Sequence, residues 1–180
     1  MSLELKKECA CTGVLLYALK EFIAFARENG MECEKETALY KKVKKASLEH
    51  FYDEKEGLFI CENQISYATN VWMVLGGVLS QKKAQEALRK LEERKDALKP
   101  VTPYMMHHYI VALIENKEEK RHDIMVEYWG EMVKEKADTF YELFNPSNPK
   151  ASPYGSASVN SYCHAWSCTP SYLLRKYFKR

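Results

Sequence analysis

Hydrophobic residues recur every three or four positions along nearly the whole chain, which is the spacing of α-helices with a buried face. Alternating runs of β-branched residues, which are typical of half-buried strands, are missing. The pattern therefore predicts an all-α fold without a sheet. Seven helices are expected at about residues 13–26, 34–52, 67–79, 81–95, 103–114, 117–133 and 170–178.

Two kinds of helix alternate along the chain. The first, third and fifth are apolar on most sides, so we expect them to be covered by protein all round. The second, fourth and sixth carry one apolar stripe among charged residues, which is typical of helices that face water. This alternation predicts helical hairpins in two layers, with inner and outer helices, in a single domain over residues 1–180.

The loops that lead from an outer helix back to an inner helix are longer than the others. They cover about residues 52–66, 96–102 and 135–163, whereas the inner-to-outer links are only a few residues long. If the inner helices run roughly parallel, the long loops emerge at one end of the bundle. That end is the predicted functional face, because polar loops on a rigid scaffold commonly carry function.

Charge and composition exclude several classes of protein. Lys and Arg number 27 against 25 Asp and Glu, a net charge of +2 without a dense basic stripe, so nucleic acid is not an expected partner. The six cysteines form no compact framework and are expected to be reduced thiols. No uninterrupted apolar run approaches the ~18 residues of a membrane span, and the start of the chain is too acidic for a signal peptide.

The last long loop contains the strongest candidate chemistry. Residues 145–163 are rich in Pro and Ser, and loops longer than about 12 to 15 residues are uncommon unless they are functional or disordered. Glu142 lies just before this loop among Phe140, Tyr141, Leu143 and Phe144. A carboxylate in such surroundings is either a surface residue or a tuned acid or base. The residues alone leave both interpretations open.

Other polar and aromatic residues admit simpler interpretations. Cys163 and Cys168 flank His164 but lack the usual zinc-knuckle spacing, and neighbours in sequence rarely form a catalytic pair. His107 and His108 are expected to pack or to form hydrogen bonds within their helix. Trp72 and Trp129 lie on helical stripes and are expected in the core.

The sequence at the end of the chain resembles a known family. ADTFYELF (residues 137–144), the Pro/Ser-rich loop and NSYCHAWSCTPSYLLRKY (residues 160–177) are similar to the end of the catalytic domain of bacterial α-L-rhamnosidases and related six-hairpin glycosidases. Weaker similarity extends upstream through FYDEKEGLF, NQISYATNVWMVLGGVL and TPYMMHHYIVALIE. The resemblance implies an (α/α)6 barrel, or α/α toroid. Seven helices would be the C-terminal portion of its twelve.

The resemblance also implies a chemistry, the inverting hydrolysis of a terminal α-L-rhamnoside by two carboxylates roughly 6.5 to 9.5 Å apart. Thr139-Phe140-Tyr141-Glu142 matches the T-x-x-E element that carries the family's general base, so Glu142 is the expected base. His164 and Trp166, from the HAW element, are expected to bind the sugar. Nothing in the sequence resembles the family's general-acid cluster, so the isolated chain is expected to be inactive.

Partners follow from the same resemblance. We expect a rhamnose-containing glycoside as substrate, the rest of the barrel as a partner, and association of copies through exposed helix faces. No metal or other cofactor is expected, and a bacterial cytoplasmic or periplasmic location stays open. Two alternatives remain at this stage. One is a protein-binding scaffold of helical hairpins, and the other is a six-hairpin enzyme of different sugar specificity or a polysaccharide lyase.

Overall fold

The structure of the chain, a computed structural model, describes residues 7–178. Within this range the all-α prediction with seven helices is confirmed. The helices are α1 (Lys7–Glu28), α2 (Glu34–Phe51), α3 (Tyr67–Leu75), α4 (Gln81–Glu93), α5 (Pro103–Glu115), α6 (Arg121–Lys134) and α7 (Thr169–Tyr177). Two short 3-10 helices, Ala157–Val159 and Ala165–Ser167, lie between α6 and α7. The chain divides into two compact units, residues 7–99 and residues 100–178 of the described range.

In the first unit, α1 packs against α2 and α3, and α3 packs against α4. Eight of the nine residues of α3 are buried, as expected for an inner helix. Two glycines allow α1 and α3 to approach closely. A Cβ atom on Gly13 would lie 2.8 Å from Cβ of Trp72, and one on Gly76 would lie 2.9 Å from Cβ of Leu16. The backbones of α1 and α3 therefore come close together at these two glycines.

The prediction that α1 is covered by protein all round is wrong for this structure. Leu16, Ile23 and Ala26 are buried, but Val14, Leu15, Phe22 and Phe25 are 42%, 43%, 41% and 56% exposed. Among the described residues, α1 is also the one helix that is long and apolar enough to cross a membrane by length and composition. The core helix of a soluble protein can satisfy the same criteria, so this observation does not assign α1 to a membrane.

The prediction that the chain has no sheet is wrong at one hairpin. Strand β1 (Tyr52–Asp53) pairs antiparallel with β2 (Leu58–Phe59). The turn forms because Oδ1 of Asp53 accepts hydrogen bonds from the N–H groups of Lys55 and Glu56, and Gly57 takes a φ of +70°. Two-residue strands are too short to show an alternating hydrophobic pattern.

The side chain of Asn70 forms hydrogen bonds to the buried backbone of this hairpin. Oδ1 of Asn70 accepts the Phe59 N–H at 2.8 Å, and Nδ2 of Asn70 donates to the Phe59 carbonyl at 3.0 Å and the Ser66 carbonyl at 3.1 Å. Asn70 is 1% exposed and Phe59 is fully buried. The Asn70 amide thus replaces a neighbouring strand for a backbone that water does not reach.

Helix ends follow local signals that the sequence shows. Ser66, Ser80 and Thr102 are N-caps whose hydroxyl oxygens accept a backbone N–H three residues on, and Pro103 occupies the first turn of α5. Three bounds differ from the prediction by more than two residues. The first helix begins at Lys7 instead of residue 13. The third helix ends at Leu75 instead of residue 79 because Gly77 takes a φ of +70°. The sixth begins at Arg121 instead of residue 117, because Lys117 also has a positive φ.

In the second unit, α5 packs against α6, α7 and the 3-10 helix Ala165–Ser167. Its core includes Tyr109 and Ile110 of α5, Tyr128 and Trp129 of α6, and Leu173 of α7. Trp129 and, in the first unit, Trp72 are each 7% exposed, which confirms the prediction that both tryptophans are core residues. The segments that flank the Pro/Ser-rich loop lie in this second unit.

Candidate active site

Two segments of the second unit are joined by hydrogen bonds that bring the predicted site residues together. The His164 N–H donates to the Phe140 carbonyl, and the Glu142 N–H donates to the Ser161 carbonyl, both at 2.8 Å. Oγ of Ser167 donates to the Tyr141 carbonyl at 2.6 Å. Residues 139–144 and 161–167 therefore lie side by side, at the two ends of the Pro/Ser-rich loop.

Two adjacent residues of α6 fix these segments to the helical core. The Tyr128 hydroxyl donates to the Phe144 carbonyl at 2.9 Å, and Nε1 of Trp129 donates to the Ser167 carbonyl at 3.0 Å. Both aromatic side chains are buried. Buried hydrogen bonds of this kind restrict the backbone strongly because their loss leaves a polar group without a partner. The site is thus held by the core, although it lies in a region without long helices.

The Glu142 carboxylate accepts a hydrogen bond at each oxygen. Oε1 accepts the Tyr154 hydroxyl at 2.9 Å, and Oε2 accepts the Ser161 N–H at 3.0 Å. The Ser161 N–H, together with the Tyr154 hydroxyl and the nearby His164, lowers the pKa of Glu142 below its ordinary value, because each favours the charged form. Glu142 is therefore an ionised, partly exposed carboxylate at neutral pH. Such a group can accept a proton from water.

Two aromatic rings lie beside Glu142. The His164 and Trp166 ring centroids are 4.2 Å apart, and Nε1 of Trp166 donates to the Glu142 carbonyl at 3.3 Å. Trp166 is 41% exposed, and its ring lies 5.8 Å from that of Tyr104, which is 44% exposed. The structure thus brings together Glu142, His164 and Trp166, and it adds Tyr104 from the start of α5. Exposed aromatic faces next to a carboxylate suit a ligand with both polar groups and C–H surfaces.

His107 and His108 are half-buried on α5 and pack against rings. His107 lies 6.2 Å from the Tyr172 ring, and His108 contacts Tyr104 edge-on at 4.6 Å. Burial lowers the pKa of both imidazoles, that of His108 to about 4, so both are neutral at pH 7. The two neutral imidazoles therefore pack against tyrosine rings, in agreement with the packing predicted from sequence.

The cysteines and the possible metal ligands add no second centre. All six cysteines are free thiols, and Cys163 and Cys168 are exposed. Across residues 7–178 there is no group of three or more His, Cys, Asp or Glu side chains that could hold a metal ion. The carboxylate and the aromatic rings are therefore the chemistry that this region offers.

Three residues of this site did not emerge from the sequence: Tyr154, Ser161 and Tyr104. Tyr154 lies within Ser152-Pro153-Tyr154-Gly155, a turn sequence whose single aromatic residue was a usable signal. Ser161 acts through its backbone N–H, for which a sequence carries no signal. Tyr104 follows the Thr102 cap and Pro103, so its place at the exposed start of α5 was also readable.

We expect Tyr154→Phe to raise the pKa of Glu142, because the substitution removes a hydrogen bond that favours the carboxylate over the acid. NMR titration of the Glu142 side-chain carboxyl in the purified chain measures this directly. Tyr162→Phe is the matched control, since the Tyr162 hydroxyl donates to the Ala157 carbonyl and not to Glu142. An unchanged pKa in Tyr154→Phe would show that the hydrogen bond does not hold the carboxylate ionised in solution.

Comparison with solved structures shows which family the chain is similar to. Neither family models nor curated proteins match it. Among solved structures, a rhamnosidase from Klebsiella oxytoca with rhamnose bound is 39% identical with a TM-score of 0.86, over 99% of this chain and 35% of that protein. A GH78 family rhamnosidase of Bacillus sp. GL1 is 23% identical with a TM-score of 0.73, over 89% of this chain and 18% of that protein, a likeness that concerns the fold.

The chain thus spans about a third of the length of the first relative and less of the second. The likeness in fold to both agrees with the helical-hairpin architecture that the sequence predicts. Its near-complete coverage by a relative of 39% identity extends the resemblance from the C-terminal motifs to the whole chain. The chain therefore matches a mainly α-helical fragment of the bacterial GH78 rhamnosidases, a family of glycoside hydrolases.

Proposed function

We propose that this chain is part of a glycoside hydrolase catalytic domain that cleaves terminal α-L-rhamnosides with inversion, and that Glu142 is the general base. The observation that carries the proposal is the ionised Glu142 carboxylate, held by Ser161 and Tyr154 beside the exposed Trp166 ring. A related protein that is solved with rhamnose bound supports a rhamnoside as the substrate.

In this mechanism a water molecule lies between Glu142 and the anomeric carbon of the sugar. As the water oxygen forms its bond to that carbon, the bond to the leaving-group oxygen breaks, and Glu142 takes the proton from the water. The lowered pKa of Glu142 keeps this acceptor ionised to a lower pH than an ordinary glutamate, and it also makes the carboxylate a weaker base, so its contribution rests on its position. Trp166 supplies a wall for the C–H face of the sugar, and His164 binds a sugar hydroxyl.

The leaving group needs a proton as well. An inverting hydrolase takes that proton from a second carboxyl group, roughly 6.5 to 9.5 Å from the base. We assign this acid to the rest of the catalytic barrel, since the chain spans 35% of its rhamnosidase relative. The isolated chain is then inactive, because general acid catalysis alone contributes about 10² to 10⁴ in rate.

A segment exchange tests the proposal. The chain replaces the segment that it matches in the Klebsiella oxytoca rhamnosidase, and hydrolysis of an aryl α-L-rhamnoside is measured for the graft, the parent enzyme and the isolated chain. We expect activity from the graft and none from the chain alone. Circular dichroism and thermal unfolding show whether the graft is folded.

Two results would contradict the proposal. A folded graft without rhamnosidase activity would mean that this chain lacks the base or the rhamnose site, and activity on another aryl glycoside would point to a different sugar. Turnover by the isolated chain at the level of the parent enzyme would show that the chain carries its own general acid.

A further inference from the structure

The Pro/Ser-rich loop contains one buried polar residue. Among residues 145–160, all of which the structure describes, Asn160 is the one buried residue, with 8% of its surface exposed. Burying a polar side chain is unfavourable unless it forms hydrogen bonds. Where those bonds are made, they restrict the chain around the buried residue. The partners of Asn160 therefore show which part of the loop it holds.

Asn160 holds the segment that carries Tyr154. Its Oδ1 accepts the Ser152 hydroxyl at 2.7 Å, and the same Ser152 oxygen accepts the Tyr154 N–H at 3.1 Å. One hydroxyl thus links the buried amide to the backbone of Tyr154. The Gly155 N–H donates to the Ser152 carbonyl at 3.4 Å, and Gly155 takes a φ of +85°, which glycine adopts readily. These bonds close a tight turn with Pro153 and Tyr154 at its two central positions.

This turn brings the Tyr154 side chain to Glu142. The Tyr154 hydroxyl donates to Oε1 of Glu142 at 2.9 Å, although Tyr154 is 54% exposed. Holding an exposed side chain in one geometry costs rotamer entropy, and few contacts of the ring itself offset that cost. The position of the Tyr154 backbone, which Ser152 and Asn160 fix, is therefore what places the hydroxyl on the carboxylate.

The second donor to Glu142 has a separate support. The Ser161 N–H donates to Oε2, and the Ser161 carbonyl accepts the Glu142 N–H, so the backbones of the two residues are paired. This pairing does not pass through Ser152 or Tyr154. Backbone pairing thus holds the partner of Oε2, whereas the hydrogen bonds from Asn160 through Ser152 hold the partner of Oε1.

We propose that Asn160 is a positioning residue for Glu142, and that it acts through Ser152 by holding the Tyr154 hydroxyl on Oε1. This inference rests on the proposed role of Glu142 as the general base. A carboxylate with both oxygens held keeps one orientation towards the water that it deprotonates, and a misplacement of about 1 Å can cost about 100-fold in rate. Asn160 takes no direct part in the reaction and acts through Tyr154.

Asn160→Ala should raise the pKa of Glu142, because the Tyr154 hydroxyl is no longer held where it favours the charged carboxylate. NMR titration of the Glu142 side-chain carboxyl in the purified chain measures the change and needs no activity. His164 also lowers the pKa of this carboxylate, so the titration of its imidazole is followed in parallel.

Asn148→Ala is the matched control for Asn160→Ala. Asn148 is exposed in the same loop, and its hydrogen bonds to Asn145 and Ala151 go through its backbone. Its substitution should therefore leave the pKa of Glu142 unchanged. Circular dichroism shows whether each variant is folded.

Ser152 gives a second route to the same measurement. Ser152→Ala should raise the pKa of Glu142, as Asn160→Ala does, whereas Ser152→Thr keeps the hydroxyl and should leave the pKa unchanged. In a Tyr154→Phe background, neither Asn160→Ala nor Ser152→Ala should raise the pKa further. Substitutions that act through one shared contact are not additive.

In the grafted rhamnosidase, Asn160→Ala should lower kcat by up to about 100-fold and change KM little. The acid limb of kcat/KM against pH should move to higher pH, because a base with a raised pKa is protonated, and so inactive, over a wider acidic range. A general folding defect would reduce the amount of active enzyme without moving this limb. Asn148→Ala should leave both kcat and the limb unchanged.

An unchanged Glu142 pKa in folded Asn160→Ala and Ser152→Ala chains would overturn the proposal. A rise in the Tyr154→Phe background as large as in the wild-type chain would also overturn it, since Asn160 would then act by another route. If Asn160→Ala does not fold, the comparison of Ser152→Ala with Ser152→Thr decides. A folded graft without rhamnosidase activity would contradict the proposed function, while the NMR titrations would still decide whether Asn160 positions the Glu142 carboxylate.

Discussion

Glu142→Gln in the grafted rhamnosidase is expected to lower kcat by about 10²- to 10⁴-fold, the contribution of a positioned general base. Glutamine keeps the size of the side chain. Its carbonyl oxygen can accept the Ser161 N–H in place of Oε2, and its NH2 group can donate to the Tyr154 hydroxyl oxygen in place of Oε1. It cannot take a proton from water. The loss should therefore appear in kcat, while KM changes little because sugar contacts through His164 and Trp166 remain.

The control for this prediction is Glu127→Gln, which removes the same charge from an exposed residue of α6 outside the site. Rate measurements on the aryl α-L-rhamnoside should show wild-type activity for this variant. If Glu142→Gln is equally active, Glu142 is not the base, and the role inferred from the T-x-x-E element is wrong. A loss in both variants would indicate a general effect of charge.

Asn70→Ala is expected to lower the free energy of unfolding by about 2 to 5 kcal/mol. The substitution leaves the N–H and the carbonyl of Phe59 buried without partners, and each unsatisfied group costs about 1 to 3 kcal/mol. The change also leaves a small cavity beside α3. Urea unfolding of the purified chain, followed by circular dichroism, measures the difference.

Asn29→Ala is the matched control for Asn70→Ala. Asn29 is exposed and its Nδ2 donates to the Phe25 carbonyl at 2.8 Å, so water can replace it. Its loss should cost less than about 0.5 kcal/mol, as is usual for surface substitutions. A similarly small effect for Asn70→Ala would mean that water enters the hairpin and satisfies Phe59.

Much of the fold was readable from the sequence because helix periodicity and capping are local. The caps at Ser80 and Thr102 and the buried tryptophans Trp72 and Trp129 lie where the pattern predicts them. The hairpin that contains Phe59 was not predicted, since its strands are two residues long and the backbone of Phe59 is paired by Asn70, eleven residues away. Contacts of this kind depend on tertiary structure and leave no periodic signal.

Some residues of the candidate site could also be predicted from the sequence, and others could not. Glu142, His164 and Trp166 were identified by motif, and the structure brings them together. The partners of the carboxylate were not identified, because Ser161 acts through its backbone and Tyr154 through the path of the loop. The exposed face of α1 was also unexpected. Apolar periodicity shows that a helix face is suited to burial, but it does not say whether the same chain buries it.

The hydrogen bonds that join residues 139–144 to residues 161–167 have an evolutionary consequence. They close the Pro/Ser-rich loop at its base, and Tyr128 and Trp129 fix both of its ends to α6. Doubling the length of a flexible loop with fixed ends costs only about 0.6 kcal/mol in closure entropy. Homologous chains can therefore gain, lose or exchange residues here while Glu142 stays in place. The loop is where sequences should diverge most in length, and Tyr154 is the contact most easily lost.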